Sequence, residues 1–298
     1  MQAKRLERLA VLALLGSTAA WGSTFVVVKD GIEQMSLWSL NSWRWMLAFV
    51  LLAAIRPRAL RVPRELMLRG VAVGAVTSLG YLFQTVGLLT TTASVSGFIT
   101  GMFVVFTPFF ARIFIGDRIT GSAWIGVLLS FVGLGLISLN GFSLSVGVLW
   151  TLAGAAMWAM QIVTLAKWAT RENAYSIAVI QIGVVAVFFT IGALIEGPEV
   201  PPNAGVWQGL FVLIVFASVL AYTVQVWGQA HIDATRAAVI FTMEPVFAGI
   251  FGVWLRHDPL TLRTLAGAAF ILCATLVSEF GSRRARVVAN LAQPHIAS

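Results

Sequence analysis

The sequence predicts an all-α polytopic membrane protein, with ten transmembrane helices arranged as two inverted five-helix repeats. Three observations carry that prediction. The 298 residues are 59% hydrophobic and only 11% charged, whereas a soluble domain gives about a quarter of its residues to Asp, Glu, Lys and Arg. Apolar runs of bilayer length alternate with short charged or turn-rich breaks, and Lys and Arg fall mostly on one side of the resulting topology. A second copy of part of the first half appears when the sequence is shifted by 141 residues.

The spans run at about 9–28, 37–55, 66–89, 93–115, 122–139, 144–165, 176–195, 207–230, 236–255 and 261–280. The first opens with "MQAKRLERLAVLALLGSTAAWG", which has the basic start and small residues of a signal peptide, but its apolar run continues to Val28 and predicts a retained helix. The second carries Arg44 as its eighth residue, roughly 10 Å from its end by helical rise. In the third, Thr77, Tyr81 and Gln84 share one face at i, i+4 and i+7. The fourth holds "GFITG" and Pro108, the former read as close helix packing and the latter as a bend. The connections Thr90–Thr92 and Asn140–Ser143 leave no room for an extramembrane domain.

Trp158 and Gln161 lie well inside the sixth span, and the eighth repeats the polar stripe as Ser218, Tyr222, Gln225 and Gln229. The ninth lies within "RAAVIFTMEPVFAGIFGVWLRHD". Nineteen residues separate Arg236 from Arg256, and Glu244 is the only charged one, followed at once by Pro245. At roughly 1.5 Å per residue those nineteen match the hydrocarbon thickness and put Glu244 near the midplane. The tenth span contains Cys273, the only cysteine, so no intrachain disulfide is possible.

With the N-terminus inside, sixteen of the twenty Lys and Arg residues lie in cytoplasmic segments. Lys29, Arg256 and Arg263 lie on the other side, and Arg44 lies within a span. That asymmetry places both termini in the cytoplasm. It also accounts for the net charge of +8 without a nucleic-acid partner.

The 141-residue shift aligns Leu79, Tyr81, Gln84, Gly87, Asp117, Thr120 and Gly126 with Leu220, Tyr222, Gln225, Gly228, Asp258, Thr261 and Gly267. Composition bias supplies apolar matches by chance, but not Tyr, Gln, Asp and Thr in one register. The halves divide as residues 1–143 and 144–298, with five spans each. Five is odd, so the second half enters the membrane inverted, a recurring plan in secondary transporters whose site lies between the repeats near the midplane.

Five motifs carry a family resemblance: "AAWGSTFVVVK" in helix 1, "WRWMLA" in helix 2, "FIGDRIT" after helix 4, "FTMEPVFAG" in helix 9 and "WLRHDPLT" before helix 10. In their order and spread over the whole chain they resemble the ten-helix EamA-type members of the drug/metabolite transporter superfamily, and most of all the YddG-type amino-acid exporters. The family usually has Glu where Asp117 and Asp258 stand; the acid is kept. The resemblance implies export of a small metabolite, an amino acid above all, across a bacterial inner membrane.

The residues set out a candidate substrate site of Arg44, Thr77, Tyr81, Gln84, Trp158, Gln161, Ser218, Tyr222, Gln225 and Glu244. The two polar stripes are expected to converge on the central axis; the alternative is that they glue helices together. Trp21, Trp43, Trp158 and Trp227 are set apart from Trp38, Trp150, Trp207 and Trp254, which read as interfacial anchors. Three readings of Arg44 stand open: snorkelling outward, pairing with Glu244, or holding a substrate carboxylate. Glu244 is equally open as a proton carrier, a ligand for a substrate ammonium, or a carboxyl bonded at the Pro245 break.

No phosphate loop, no metal-ligand spacing and no nucleophile–base set is visible, so no cofactor, metal or enzymatic activity is expected. The partners expected are a small-molecule substrate and the lipid bilayer; the oligomeric state is left open, a monomer included. Efflux of lipophilic cations is the competing transport reading, and a non-transporting membrane scaffold or enzyme is the competing class.

Overall fold

The computed structural model describes residues 2–116, 121–140, 143–170, 172–224, 240–241, 243–259, 261–274 and 276–277. Its order is α1 (Gln2–Ile32), α2 (Leu37–Ile55), a 3₁₀ turn (Pro57–Leu60), α3 (Arg64–Thr90), α4 (Ala93–Thr100), α5 (Phe103–Phe114) and α6 (Gly121–Ser138). A two-residue-per-strand hairpin follows, Leu139–Asn140 against Ser143–Leu144. Then come α7 (Val146–Trp168), α8 (Ala174–Glu196) and α9 (Ala204–Phe211), which continues as a π-helical segment (Val212–Leu220). The last two are α10 (Met243–Arg256) and α11 (Leu262–Ala274). Seven helical stretches among the described residues are long and apolar enough to cross a membrane, and the chain is a multi-pass membrane protein.

The lengths follow from the apolar runs, and the ends from local chemistry. Ser36 starts α2 by accepting a hydrogen bond from the Trp38 amide at 3.2 Å, Thr92 caps α4 through Val95 and Ser145 caps α7 through Val148, each satisfying an amide that the first turn leaves free. Inside the helices, Ser17, Thr18, Ser23, Thr24, Thr77 and Ser78 donate to carbonyls of their own preceding turn, as hydroxyls do where lipid offers no partner. Large apolar side chains such as Val50, Ile55, Leu194 and Ile195 point outward, which suits contact with acyl chains rather than water.

Two of the expected spans differ in form. The fourth is interrupted between α4 and α5, where Gly101 and Met102 form a turn closed by the bond from the Met102 amide to Ile99 at 3.0 Å. The helix runs unbroken through Pro108, so the interruption lies one to two turns before the expected bend. At the break the chain packs closely on α10: a Cβ on Gly101 would lie 2.6 Å from Cγ of Pro245. The eighth span widens into the nine-residue π segment, a rare form that is frequent at functional sites.

The principal packing pairs are α3 with α7 and α8, α2 with α8, α1 with α10, α4 with α10, and α5 with α7. Small residues permit the close ones. Gly70 and Gly74 lie against Ile180, Gln181 and Val184 of α8, and Gly97 lies against Ala248 of α10. The core they surround contains Phe25, Trp45, Leu88, Phe189, Tyr222 and Ala248.

The bundle is tied at the end where α1 finishes and α2 begins. Arg256 pairs with Asp30 and, at 2.7 Å, with Glu33. Lys29 donates to the carbonyls of Leu88 and Leu89 at 2.5 and 3.3 Å, in the last turn of α3 where a cation is favourable. Asp258 accepts from the Ser94 amide at 2.8 Å, and Asn203 donates to Gln34 at 2.8 Å. Asp117, the expected repeat partner of Asp258, lies outside the described residues, as do Trp227 and Gln229.

Candidate functional site

Arg44 sits on the inward face of α2 and is 1% exposed, so it does not snorkel. Its guanidinium is held from two sides. Nε donates to Ser218 Oγ at 3.2 Å, and the plane lies 4.2 Å from the Trp45 ring centre and 5.2 Å from that of Tyr81. Such stacking suits a planar, weakly hydrated cation. Ser218 comes from the π segment, whose wide turn also supplies the Ala217 carbonyl to Trp21 Nε1 at 2.9 Å. No ion pair joins Arg44 to Glu244 or to any other carboxylate among the described residues. Its Nη2 is buried with no hydrogen-bond partner, an arrangement that costs about 1–3 kcal/mol or more for a charged group.

Tyr81 of α3 is the hub. Its ring lies 4.5 Å from that of Trp45 and 4.5 Å, edge-on, from that of Trp158 on α7. Its hydroxyl meets the Tyr222 hydroxyl at 3.0 Å, so the two tyrosines aligned by the 141-residue shift touch each other. Tyr222 packs edge-on against Trp21 at 5.9 Å. One turn from Tyr81, buried Gln84 donates to Thr100 Oγ1 at 3.5 Å, at the end of α4. Glu244 is partly buried on α10, near enough to interact electrostatically with both tyrosines. Its side chain has no hydrogen bond to any described residue, so the bonded carboxyl expected beside Pro245 has no counterpart.

Arg44, Tyr81, Trp158, Ser218 and Tyr222 are therefore brought into one cluster, with Gln84 beside it and Glu244 within electrostatic range. Thr77 is buried one turn away with its hydroxyl donated to Val73 O at 2.7 Å. Gln161 is buried on α7, three residues past Trp158. Gln225 lies outside the described residues. Trp43 belongs elsewhere: its Nε1 donates to Glu199 O at 3.0 Å and its ring packs on Trp207, both at the tied end of the bundle. Trp38, read as an interfacial anchor, is tucked against Phe188 and Phe189.

A cavity of about 10 Å³ lies beside Arg44, lined by Thr24, Phe25, Val28, Tyr81, Gln84, Thr85 and Leu88. That is room for roughly one water molecule, so the site is contracted in this conformation. A larger hollow of about 120 Å³ opens between α1, α2 and α9. Its polar side chains are already engaged, Asp30 by Arg256 and Gln34 by Asn203, and the chemistry points to the smaller one.

Trp45 is the residue that the sequence reading missed. It is fully buried, stacks under Arg44 and against Tyr81, and has an unpaired Nε1. The available signal was an aromatic on each side of an intramembrane arginine, in "WRW".

A guanidinium, a carboxyl and a cage of aromatic rings inside a bundle of apolar helices describe a place for a small solute, and relatives of the chain carry matching names. A protein of Archaeoglobus fulgidus named as an uncharacterized transporter is 31% identical over 90% of this chain and 83% of its own length. A probable amino-acid metabolite efflux pump of Escherichia coli is 26% identical over 93% of this chain and 97% of its own. A probable terminal-alkyne amino-acid exporter of Streptantibioticus cattleyicolor is 24% identical over 92% and 96%. A solved crystal structure aligns over 93% of this chain and 98% of its own at a TM-score of 0.64 and 16% identity, a likeness of fold. The family model for EamA-like transporters matches the chain twice, at residues 8–139 and 145–280, and the chain belongs to that family, within the drug/metabolite transporter superfamily.

Proposed function

We propose that the chain is a secondary transporter that exports amino acids across a bacterial inner membrane by alternating access. Ten helices in two inverted repeats, residues 1–143 and 144–298, would hold the solute between them, with both termini in the cytoplasm and the tied end of the bundle in the periplasm. The observation that carries this reading is the arrangement around the Tyr81–Tyr222 contact. A buried guanidinium and a carboxyl approach the same two tyrosines from different helices without pairing with each other. A zwitterion needs those two groups held apart, one for its carboxylate and one for its ammonium. The names of the relatives from Escherichia coli and Streptantibioticus cattleyicolor support the amino-acid class. The repeat matched by the family model supports alternating access, in which two interchangeable conformations of one motif open the site to opposite sides.

Counterflow in proteoliposomes tests it. Labelled amino acids should accumulate in vesicles preloaded with unlabelled solute and containing the purified protein, and not in protein-free vesicles. Equal accumulation in both rejects transport of that class. Accumulation of labelled tetraphenylphosphonium alone would transfer the assignment to lipophilic cations, with Glu244 as the counter-charge.

A further inference from the structure

Five buried side-chain polar atoms have no hydrogen-bond partner among the described residues, and three of them surround one ring. Arg44 Nη2, Trp45 Nε1 and Trp158 Nε1 all belong to groups stacked on Tyr81, at ring or guanidinium distances of 5.2, 4.5 and 4.5 Å. The other two, Ser130 Oγ and Gln181 Oε1, are not part of that cluster. All three atoms at Tyr81 are donors, because neither an indole nor a guanidinium accepts. Buried tryptophan N–H groups ordinarily find an acceptor. Here two of them and a cationic nitrogen go unanswered within one cluster, three donors against the single unbonded carboxyl of Glu244 within electrostatic range of Tyr81.

We infer that the indole N–H groups of Trp45 and Trp158 join the Arg44 guanidinium as a receptor for the carboxylate of the transported solute, so that selection turns on the solute's anion. This rests on the transport reading above, adds Trp45 as a binding residue and gives Trp158, already a candidate, a defined role; both lie outside the polar stripes. Ser218 holds Nε and the Trp45 ring holds the guanidinium plane, which leaves Nη2 free for an incoming oxygen. The cavity of about 10 Å³ beside Arg44 suits one water-sized oxygen; Arg44 and Tyr81 line it and the two tryptophans do not, so the indoles meet the anion only once the site widens. The remainder of the solute is accommodated as the helices part around Tyr81 and Tyr222. A lipophilic cation would leave all three donors unanswered, the outcome that a site built from donors penalises most.

The test uses the purified full-length protein in detergent, with binding read as thermal stabilisation against ligand concentration. The probes are leucine and phenylalanine, each beside its amide, its decarboxylated amine and its deaminated acid. In the wild type, compounds that retain the carboxylate should bind at least tenfold more tightly than the matching amide or amine. Trp45→Phe and Trp158→Phe each keep a ring and lose one N–H. Each should narrow the acid-over-amide preference about threefold to tenfold, the effect of one ordinary hydrogen bond. Arg44→Gln should abolish the preference. Equal binding of acid, amide and amine in the wild type overturns the receptor, as does an unchanged preference in both Phe variants or the absence of binding by every carboxylate in both series. Because the preference is also read on the wild type, a variant that fails to fold does not spare the proposal. Binding of the deaminated acids without the amino acids would uphold the receptor and reject the amino-acid reading, so the two can fail separately.

Discussion

Glu244 lies within electrostatic range of Tyr81 and Tyr222 with no hydrogen bond or ion pair to a described residue, although it is one of the few charged groups within the bundle. An intramembrane carboxyl that is neither bonded nor paired is expensive, and such residues are functional by default. The three readings of Glu244, as a ligand, a coupling group or a structural carboxyl, make different predictions. Glu244→Gln distinguishes these, since it keeps size and hydrogen-bonding capacity and loses the charge. The expected outcome is a loss of about tenfold or more in affinity for ammonium-bearing solutes, with binding of the deaminated acids unchanged. Intact binding and exchange with lost proton-driven accumulation would instead make Glu244 the coupling residue, and unchanged affinity and pH dependence would return it to a structural role. Arg44 and Glu244 were recognisable in the sequence because a charge within an apolar run is conspicuous. Trp45 was not. One residue along the helix is a rotation of about 100°, and only the tertiary structure, which brings the Tyr81 ring against α2, determines that Trp45, as well as Arg44, faces it.

At the scale of elements, charged groups tie together one end of the bundle, and under the proposed alternating access that end would act as a gate. Arg256 joins the end of α10 to Asp30 and Glu33 at the end of α1, while Lys29 joins α1 to the last turn of α3. The carboxylates are about half exposed, at 53% and 47%, so each pair is worth at most about 1 kcal/mol. A gate needs ties of that size, strong enough to bias a conformation and weak enough to release. Arg256→Gln is therefore expected to raise the reactivity of a cysteine placed at Val28, beside the small cavity, toward a membrane-impermeant thiol reagent by about threefold to tenfold. The background carries Cys273→Ser, and reactivity unchanged from the Arg256 parent would mean that these pairs do not hold the end closed. The helices themselves could be read from the lengths of their apolar runs, because a lipid-spanning segment must close its own backbone bonds. The break at Gly101–Met102 and the π segment could not. "GFITGMF" and "VLIVFASVL" carry no breaker between their apolar residues that marks the change, and the contacts made there come from other helices: Pro245 in the first case, Trp21 and Arg44 in the second.

For the whole molecule, the proposed inverted repeat would relate the two halves by a two-fold axis lying in the membrane plane. If α1, α2, α3 and the α4–α5 pair correspond to α7, α8, the α9–π stretch and α10, then α2–α8 and α4–α10 are pairs that map onto themselves. The α1–α10 contact then has its counterpart in α5–α7, and the α3–α8 contact in that of the π segment with α2. The Tyr81–Tyr222 hydroxyl contact lies where such an axis would pass, since it joins equivalent residues of the two halves. Inversion makes a prediction that a direct repeat does not: equivalent positions must lie on opposite sides of the membrane. Asp258 is at the tied end of the bundle, accepting from Ser94, and its partner in the other half is Asp117, which is expected at the opposite end. Single cysteines at the two positions, in a Cys273→Ser background, are to be labelled in intact cells with an impermeant maleimide, before and after permeabilisation. The cysteine at position 258 should react in intact cells and the one at 117 only after permeabilisation, because the excess of Lys and Arg assigns the Asp117 side to the cytoplasm. The reverse pattern would keep the inversion and turn the molecule over. Labelling of both positions from one side would remove the inverted repeat, and with it the reason for placing the solute between the halves.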